Sequence, residues 1–290
     1  MQVFAGKVAV ITGAGSGFGL EFARLGAREG MKLVLADVQE DALEAAVAEV
    51  RSRGAEAVGV RADMSNAEEV DRAAARAKSA FGAVHLLFNN AGVAGGGGYL
   101  WESSLKDWKW ILGVNLMGVV HGIRSFVPLM LEHGGEGHVV NTASAAGLVS
   151  SPLMGVYNAS KHAVVTLSET LHHELRLAHS RIGVSVLCPA YVPTGISRSE
   201  RNRPAELADD APPTSSQLAA RQRSEKAVAS GKVGAPEVAR MTFDAIREGR
   251  FYVITHPKLL ASVELRFRDV LEQRTPSDPY MYRPDLRQKP

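Results

Sequence analysis

Short apolar runs with no alternation of polar and apolar residues recur along this chain, each separated from the next by a longer helical pattern. The runs are Val8–Ile11, Lys32–Ala36, Ala57–Val60, Val84–Phe88, His138–Thr142, Val184–Leu187 and Phe251–Ile254. A strand apolar at nearly every position has no face for water, so it belongs in a parallel sheet covered on both sides. The helical patterns between them are Phe18–Glu29, Glu40–Arg53, Ala67–Phe81, Leu105–Leu131, Val156–Ala178 and Pro236–Arg247. That alternation predicts an α/β fold with a doubly wound parallel sheet of about seven strands flanked by helices, in a single domain over residues 1–255.

Two regions break the rhythm. Residues 193–232 are rich in Ser, Arg, Pro and Ala, and a connection of that length reads as a lid, a binding loop or a disordered segment. Residues 256–290 read as a C-terminal helix followed by a tail. From Thr275 onward Pro276, Pro279, Pro284 and Pro290 require an extended chain. No internal repeat is visible.

Composition excludes several partners. Lys and Arg number 33 against 31 Asp and Glu, a net charge of +2, which gives no electrostatic case for nucleic acid or an anionic membrane. Two long uncharged stretches, Ser79–Trp101 and His138–Ser160, lack the apolar density of a spanning helix. Cys188 is the single cysteine, so no internal disulfide forms, and it reads as a small core residue. With no secretory signal pattern at the N-terminus, the expected location is cytoplasmic. The histidines show no metal-ligand spacing with a carboxylate, and no metal is expected.

The first strand runs into Thr12-Gly13-Ala14-Gly15-Ser16-Gly17-Phe18-Gly19. Glycine lets a ligand approach the backbone, and the helix beginning near Phe18 aims free N–H groups at the loop, as a pyrophosphate requires. The spacing departs from G-x-G-x-x-G, and a tight strand-to-helix turn would use the same residues. Asp37 closes the second strand, near the distance expected of an acid that binds a ribose diol. A carboxylate there repels a 2′-phosphate, and neither Ser16 nor Val38 supplies a cation to welcome one, so NAD is favoured over NADP. A turn or helix-capping role before Glu40 is the alternative for Asp37.

Tyr157 and Lys161 lie four apart in a helical pattern and share a face. A phenol titrates near ~10 and is a poor base at neutral pH. A neighbouring ammonium is expected to lower that value. Alone, the pair could be a half-buried Tyr beside a solvated Lys.

Together these residues resemble the short-chain dehydrogenase/reductase (SDR) family. Thr12–Gly19 is similar to its phosphate loop and Asn89-Asn90-Ala91-Gly92 to its fourth-strand motif. Asn115, Ser144, Tyr157 and Lys161 match its active-site set in order and spacing. The likeness runs from about residue 6 to 195 and continues loosely to about 255. Two departures stand out: Pro189 is followed by Ala190 where the family usually has Gly, and Phe18 stands where Ile or Leu is common.

The resemblance implies a Rossmann-type domain and a hydride-transfer oxidoreductase that interconverts a secondary alcohol and a ketone. Tyr157 would be the acid/base, Lys161 would lower its pKa and bond the nicotinamide ribose, and Ser144 would hold the substrate oxygen. Asn115, in a locally distorted helix, would position a water linking Lys161 to solvent. Gly13, Ser16, Gly17, Phe18, Gly19, Asp37, Asn90, Gly92 and Pro189 would line the cofactor. Thr194 and the Val192 backbone would meet the carboxamide; Asp63 and the Met64 backbone would meet the adenine. Relatives pair through Leu105–Leu131 and Val156–Ala178, so a homodimer or homotetramer is implied.

The substrate pocket is expected from Val93–Tyr99, Ala145–Val156 and Tyr191–Leu218, with Tyr99, Leu148, Leu153, Met154 and Tyr191 as apolar contacts. They suit a small apolar or aromatic alcohol or ketone. The Gly95–Gly98 run reads either as a roomy entrance or as a flexible loop. The Arg-rich 198–203 segment reads as a solvated lid face or as a partner for an acidic substituent. An NADPH-dependent carbonyl or ketoacyl reductase, and a non-catalytic NAD-binding regulatory protein, are the alternative functions.

Overall fold

The computed structural model describes residues 1–95 and 97–282. Its strands are β1 (Val8–Thr12), β2 (Lys32–Asp37), β3 (Ala57–Arg61), β4 (Leu86–Asn89), β5 (Gly137–Thr142), β6 (Ile182–Cys188) and β7 (Tyr252–Ile254). The helices are α1 (Gly17–Arg28), α2 (Glu40–Ser52), α3 (Ala67–Phe81), α4 (Leu105–Leu112), α5 (Gly118–Glu132), α6 (Gly155–Leu177), α7 (Ser215–Ala229), α8 (Ala235–Glu248) and α9 (Leu260–Leu271). The strands form one sheet in the order β3-β2-β1-β4-β5-β6-β7, and every pairing is parallel.

The absence of polar alternation now has its physical cause. Ala9, Ile11, Leu33, Leu35 and Phe88 pack with Phe22 of α1, Leu43 of α2 and Phe243 of α8. Their chain neighbours Val8, Val10, Val34 and Leu87 pack with α3, α5 and α6 through Val70, Phe126 and Leu171. Successive side chains still point to opposite faces, but both faces are core. Strand order reverses at β1, which has β2 on one side and β4 on the other. The connections leave in opposite directions there and open a crevice at the C-terminal strand ends.

The pattern Leu105–Leu131 is not one helix. α4 and α5 are joined by a π turn, Gly113–Met117, with Gly118 N–H bonded to Gly113 C=O. The whole segment Leu105–Glu132 is the one helical stretch, among the described residues, long and apolar enough by composition to span a membrane. Its inner face here is sheet core, through Val119, Phe126, Val127 and Met130.

Residues 193–232 fold over the crevice as 3-10 turns at Gly195–Asn202 and Ala205–Leu207, followed by α7. α7 lacks an apolar stripe, burying only Ala220, Ala227 and Val228. Its start was nonetheless written in the chain, as a capping box between Thr214 and Gln217. Arg203 is no solvated residue: it lies buried over the Trp110 ring and pairs with Asp107 at 2.8 Å and Asp209 at 3.2 Å. The pair fixes the lid to α4.

The glycine run is neither a roomy entrance nor a slack loop in its described residues. Gly95, Gly97 and Gly98 have φ of +74°, +72° and +114°. A Cβ on Gly95 would meet Ile111 Cδ1 at 2.2 Å, and one on Gly97 would meet Leu153 O at 2.8 Å and Ala220 Cβ at 2.9 Å. Gly95, Gly97 and Gly98 thus sit in tight contact with α4, α7 and the turn before α6. After α9 the tail carries no helix as far as Tyr282; Pro284, Pro290 and Gly96 lie outside the described residues.

Phe88 ties the layers together. It is fully buried in β4 and stacks on Phe22 at 4.5 Å and on Phe243 at 5.7 Å. Phe88→Ala is expected to lower the unfolding free energy by about 3–5 kcal/mol, read as a shifted denaturant midpoint at unchanged slope.

Candidate active site

The glycine loop is clamped from β4. Thr12 Oγ1 accepts from the N–H groups of Asn90 (2.9 Å) and Ala91 (3.0 Å), and Asn90 Nδ2 donates to Thr12 O at 2.9 Å. Gly13 and Gly17 have φ of +65° and +55°, which favours glycine. Gly19 serves packing: a Cβ there would sit 2.0 Å from Gly13 O. The turn therefore presses against α1 and brings its backbone to the crevice. Ser16, the residue before α1, makes no side-chain cap bond, and the first turn holds no acid. The leading N–H groups of α1 thus face the crevice and suit an anion.

Asp37 lies across from that loop. Its Oδ2 accepts from Gly15 N–H at 2.8 Å and its Oδ1 from Gln39 N–H at 2.9 Å. These bonds aim the carboxylate at the crevice, and they show Gly15 and Gln39 as working parts that the glycine spacing alone did not mark. Asp63 engages Ser65 N–H and Oγ, both at 2.8 Å, while Asn66 is the residue that caps α3. Met64 is buried, and its carbonyl meets His121 Nδ1 at 2.9 Å.

At the other end stand the hydroxyls and the amine. Ser144 follows β5, accepts from Ala146 N–H at 3.1 Å, and lines the crevice together with Tyr157. Lys161, 3% exposed on α6, donates to Thr142 O at the end of β5 (2.8 Å) and sits 5.8 Å from the Tyr157 ring centre. Burial pushes Tyr157 above the ordinary phenol value, and the Ser144 hydroxyl acts the other way. That corrects the expectation of a tyrosine lowered outright by the neighbouring ammonium: desolvation is the larger influence. Burial likewise pulls Lys161 down to about 8.

Asn115 occupies the π turn and is fully buried. Its Oδ1 accepts from Val93 N–H (2.8 Å); its Nδ2 donates to Val93 O (2.9 Å) and Ser160 Oγ (3.1 Å). Ser160 Oγ in turn donates to Tyr157 O at 2.8 Å. A Cβ on Gly92 would lie 3.3 Å from Asn115 Oδ1 and 3.5 Å from Lys161 Nζ. Both amide hydrogens of Asn115 are engaged, so a water could use only its Oδ1 or backbone.

One cavity of about 1080 Å³ joins the two ends. Gly13, Ser16, Gly17, Phe18, Asp37, Asp63, Met64, Asn90 and Gly92 line its nucleotide side. Ser144, Tyr157, Lys161, Pro189, Tyr191, Val192 and Thr194 line the rest. Ala190 also lines it and keeps out of the left-handed region, so it replaces glycine without backbone strain. Five expected residues do not reach the cavity, Leu148 and Tyr99 among them: Gly19 lies beneath the loop, Asn115 behind Val93, and Leu153 borders a side cavity of about 50 Å³. Leu153 has φ of +64°, held by Gly98 N–H on its carbonyl at 3.0 Å, and this turn directs it away. Leu148 is core instead, and Tyr99 stacks on exposed Trp101. Val149, Val228, Leu259, Tyr280 and Tyr282 line the substrate end, although most are distant in sequence from the motifs.

The residues present fit a dinucleotide: a close-approach glycine loop at a helix start, an aimed carboxylate, and a buried amine beside a phenol, all on one cavity. The family model for short chain dehydrogenases matches residues 7–205. The chain is 36% identical to the CLA biosynthesis dehydrogenase/reductase of Lactiplantibacillus plantarum, covering 95% of this chain and 97% of the relative. It is 38% identical to the cyclohexanol dehydrogenase of Acinetobacter sp. (strain SE19), over 66% of this chain and 75% of that one. Among solved structures, a short chain dehydrogenase/reductase from Burkholderia phymatum in complex with NAD is 60% identical. It superposes with a TM-score of 0.95 and covers 96% of this chain and 99% of its own.

Lys161 is a charge held where it lowers stability. Its folded pKa, about 8 against 10.5, corresponds to about 3 kcal/mol. Below pH 8 the penalty is whole, because both states hold the proton. Between 8 and 10.5 the folded state sheds it first, and stability rises with pH. Lys161→Met should raise unfolding free energy at pH 7 by about 2 kcal/mol, less than the full amount because Thr142 O loses its donor. The same denaturant series should show that pH slope flattened.

Proposed function

The chain belongs to the short-chain dehydrogenase/reductase family, and on that premise we propose that it interconverts a secondary alcohol and a ketone using NAD, with Tyr157 as acid/base. The observation that carries the reading is the convergence of Tyr157, Ser144 and Lys161 on the same cavity as Asp37 and the glycine loop. NAD, when bound, supplies the nicotinamide carbon that exchanges a hydride with the carbinol carbon.

The protein's part is positioning and proton transfer. Tyr157 Oη takes the hydroxyl proton in oxidation and returns it in reduction. Ser144 Oγ donates to the same substrate oxygen, where negative charge develops. The Lys161 ammonium beside the ring favours the phenolate against desolvation. Asn115 acts from behind by bracing Val93 and, through Ser160, the backbone of Tyr157. Oxidation therefore rises with pH as Tyr157 loses its proton, and reduction falls over the same range.

Asp37 supports NAD over NADP. Its carboxylate is aimed by two amides and would repel a 2′-phosphate. Arg201, on the same cavity, donates to the carbonyls of Gly195 (3.2 Å) and Arg198 (2.7 Å). The apolar substrate end, with Val149, Met154, Val228 and Leu259, supports a small apolar or aromatic alcohol. The name of the Acinetobacter relative is in keeping with a cyclic one. Exposed Leu105, Met117 and Leu131 on the α4–α5 segment, with Leu177 on α6, support a homodimer or homotetramer. The single buried cysteine is in keeping with a cytoplasmic location.

The test is nicotinamide absorbance with purified protein, NAD or NADP, and a panel of cyclic, aromatic and aliphatic secondary alcohols. Turnover should favour NAD, and Asp37→Ala should cut NAD efficiency by about 10- to 100-fold, the range of a lost charged hydrogen bond. A preference for NADP would contradict the assignment of Asp37. No turnover with either cofactor would contradict the redox reading.

A further inference from the structure

The tail after α9 is a built part of the molecule. Tyr280 is 7% exposed although it lies in a Pro-containing segment without helix or strand. Two anchors on α9, Asp269 and Ser262, hold the chain that carries it, and a local turn at Asp278 shapes it. The Asp269 carboxylate, buried on α9, accepts from Ser277 N–H (2.7 Å), Ser277 Oγ (3.0 Å) and Arg274 Nη2 (2.9 Å). Ser262 Oγ donates to Pro279 O at 3.0 Å, and Tyr280 N–H donates to Asp278 Oδ1 at 2.8 Å. Backbone polar groups satisfied in this way keep an irregular segment in one place.

The Tyr280 ring is held from the lid and borders the main cavity. The Arg223 guanidinium of α7 stands 4.7 Å from its ring centre, a cation–π distance. Beside the ring stands Tyr191, which lines the main cavity with Tyr157. Tyr280 also borders the side cavity, as do Met154 and Tyr191. Tyr280 is therefore one of the few residues, with Met154, Tyr157 and Tyr191, that border both cavities.

We propose that the segment 275–282 is a fixed wall of the substrate compartment, and that Tyr280 sets the size of alcohol admitted. This rests on the dehydrogenase reading above. Compact secondary alcohols fill the space in front of the ring. Removal of the ring joins the side cavity to the main one and makes room for a substituent on the far side of the carbinol carbon. The glycine loop and Asp37 lie at the other end of the cavity, so nucleotide binding is untouched.

The experiment compares wild type, Tyr280→Ala and Tyr280→Phe on cyclohexanols carrying progressively larger 4-substituents, with NAD affinity measured alongside. Tyr280→Ala should raise kcat/KM for bulky over unsubstituted alcohol by about tenfold or more, chiefly through KM, the scale expected of a few methylenes in an apolar pocket. Tyr280→Phe keeps the ring and should keep the size preference. An unchanged ratio in Tyr280→Ala, or a loss shared equally by all alcohols, overturns the proposal. A second arm needs no turnover. Cys188 is fully buried with its thiol pushed up to about 12, so introduced cysteines react with maleimide on a silent background. Tyr280→Cys should react about tenfold or more slowly than Tyr282→Cys, as a closed wall demands. Equal rates overturn the wall, and wild type inactive on every alcohol overturns the redox reading separately.

Discussion

Lys161 is the constraint around which the active end is arranged. An ammonium removed from water must be compensated, and the sheet does so by ending β5 at Thr142, whose carbonyl it meets at 2.8 Å. The long helix α6 carries Lys161 and Tyr157 on one face, and Ser144 stands at the start of the turn after β5. Gly92 leaves the space beside the amine that any side chain would fill. These features are consistent with a chain that accepts lower stability in order to hold a cation beside a phenol.

The nucleotide end follows a different logic. No buried charge organises it; backbone groups do. Thr12 and Asn90 fasten β1 to β4 where strand order reverses, and Gly19 lets α1 close onto Gly13. The result is a crevice with N–H groups on one wall and the Asp37 carboxylate on the other. The π turn connects the two ends. It puts Asn115 behind Val93, so the loop after β4 that borders the cavity is braced against the helix that carries Tyr157.

The sheet was legible because both faces of each strand are core, which removes polar alternation. The motif residues were legible because their chemistry needs fixed residue types at fixed spacing. What escaped were features set by packing between distant segments. α7 shows no apolar stripe because it buries only Ala220, against Gly97, and Ala227 and Val228, on the cavity. Leu153 looked like a substrate contact, yet its left-handed backbone turns it to the side cavity. Tyr280 lies in a segment whose prolines suggested only an extended tail; its place is set by Asp269 of α9 and Arg223 of α7, which the tail's own residues do not reveal. The direction of the Tyr157 shift also needed the structure, since desolvation is invisible in spacing.

The most direct test of the central claim is a single turnover with a secondary alcohol deuterated at its carbinol carbon, excess protein and NAD. Product cofactor is examined by mass spectrometry for wild type and Tyr157→Phe. The expected result is deuterium in the NADH formed by wild type, and a rate lower by about 10²–10⁴-fold in Tyr157→Phe at equal NAD affinity. Transfer at the wild-type rate without the phenol would contradict Tyr157 as the acid/base. Bound NAD with no deuterium transferred by wild type, from any alcohol that the cavity admits, would contradict the dehydrogenase itself.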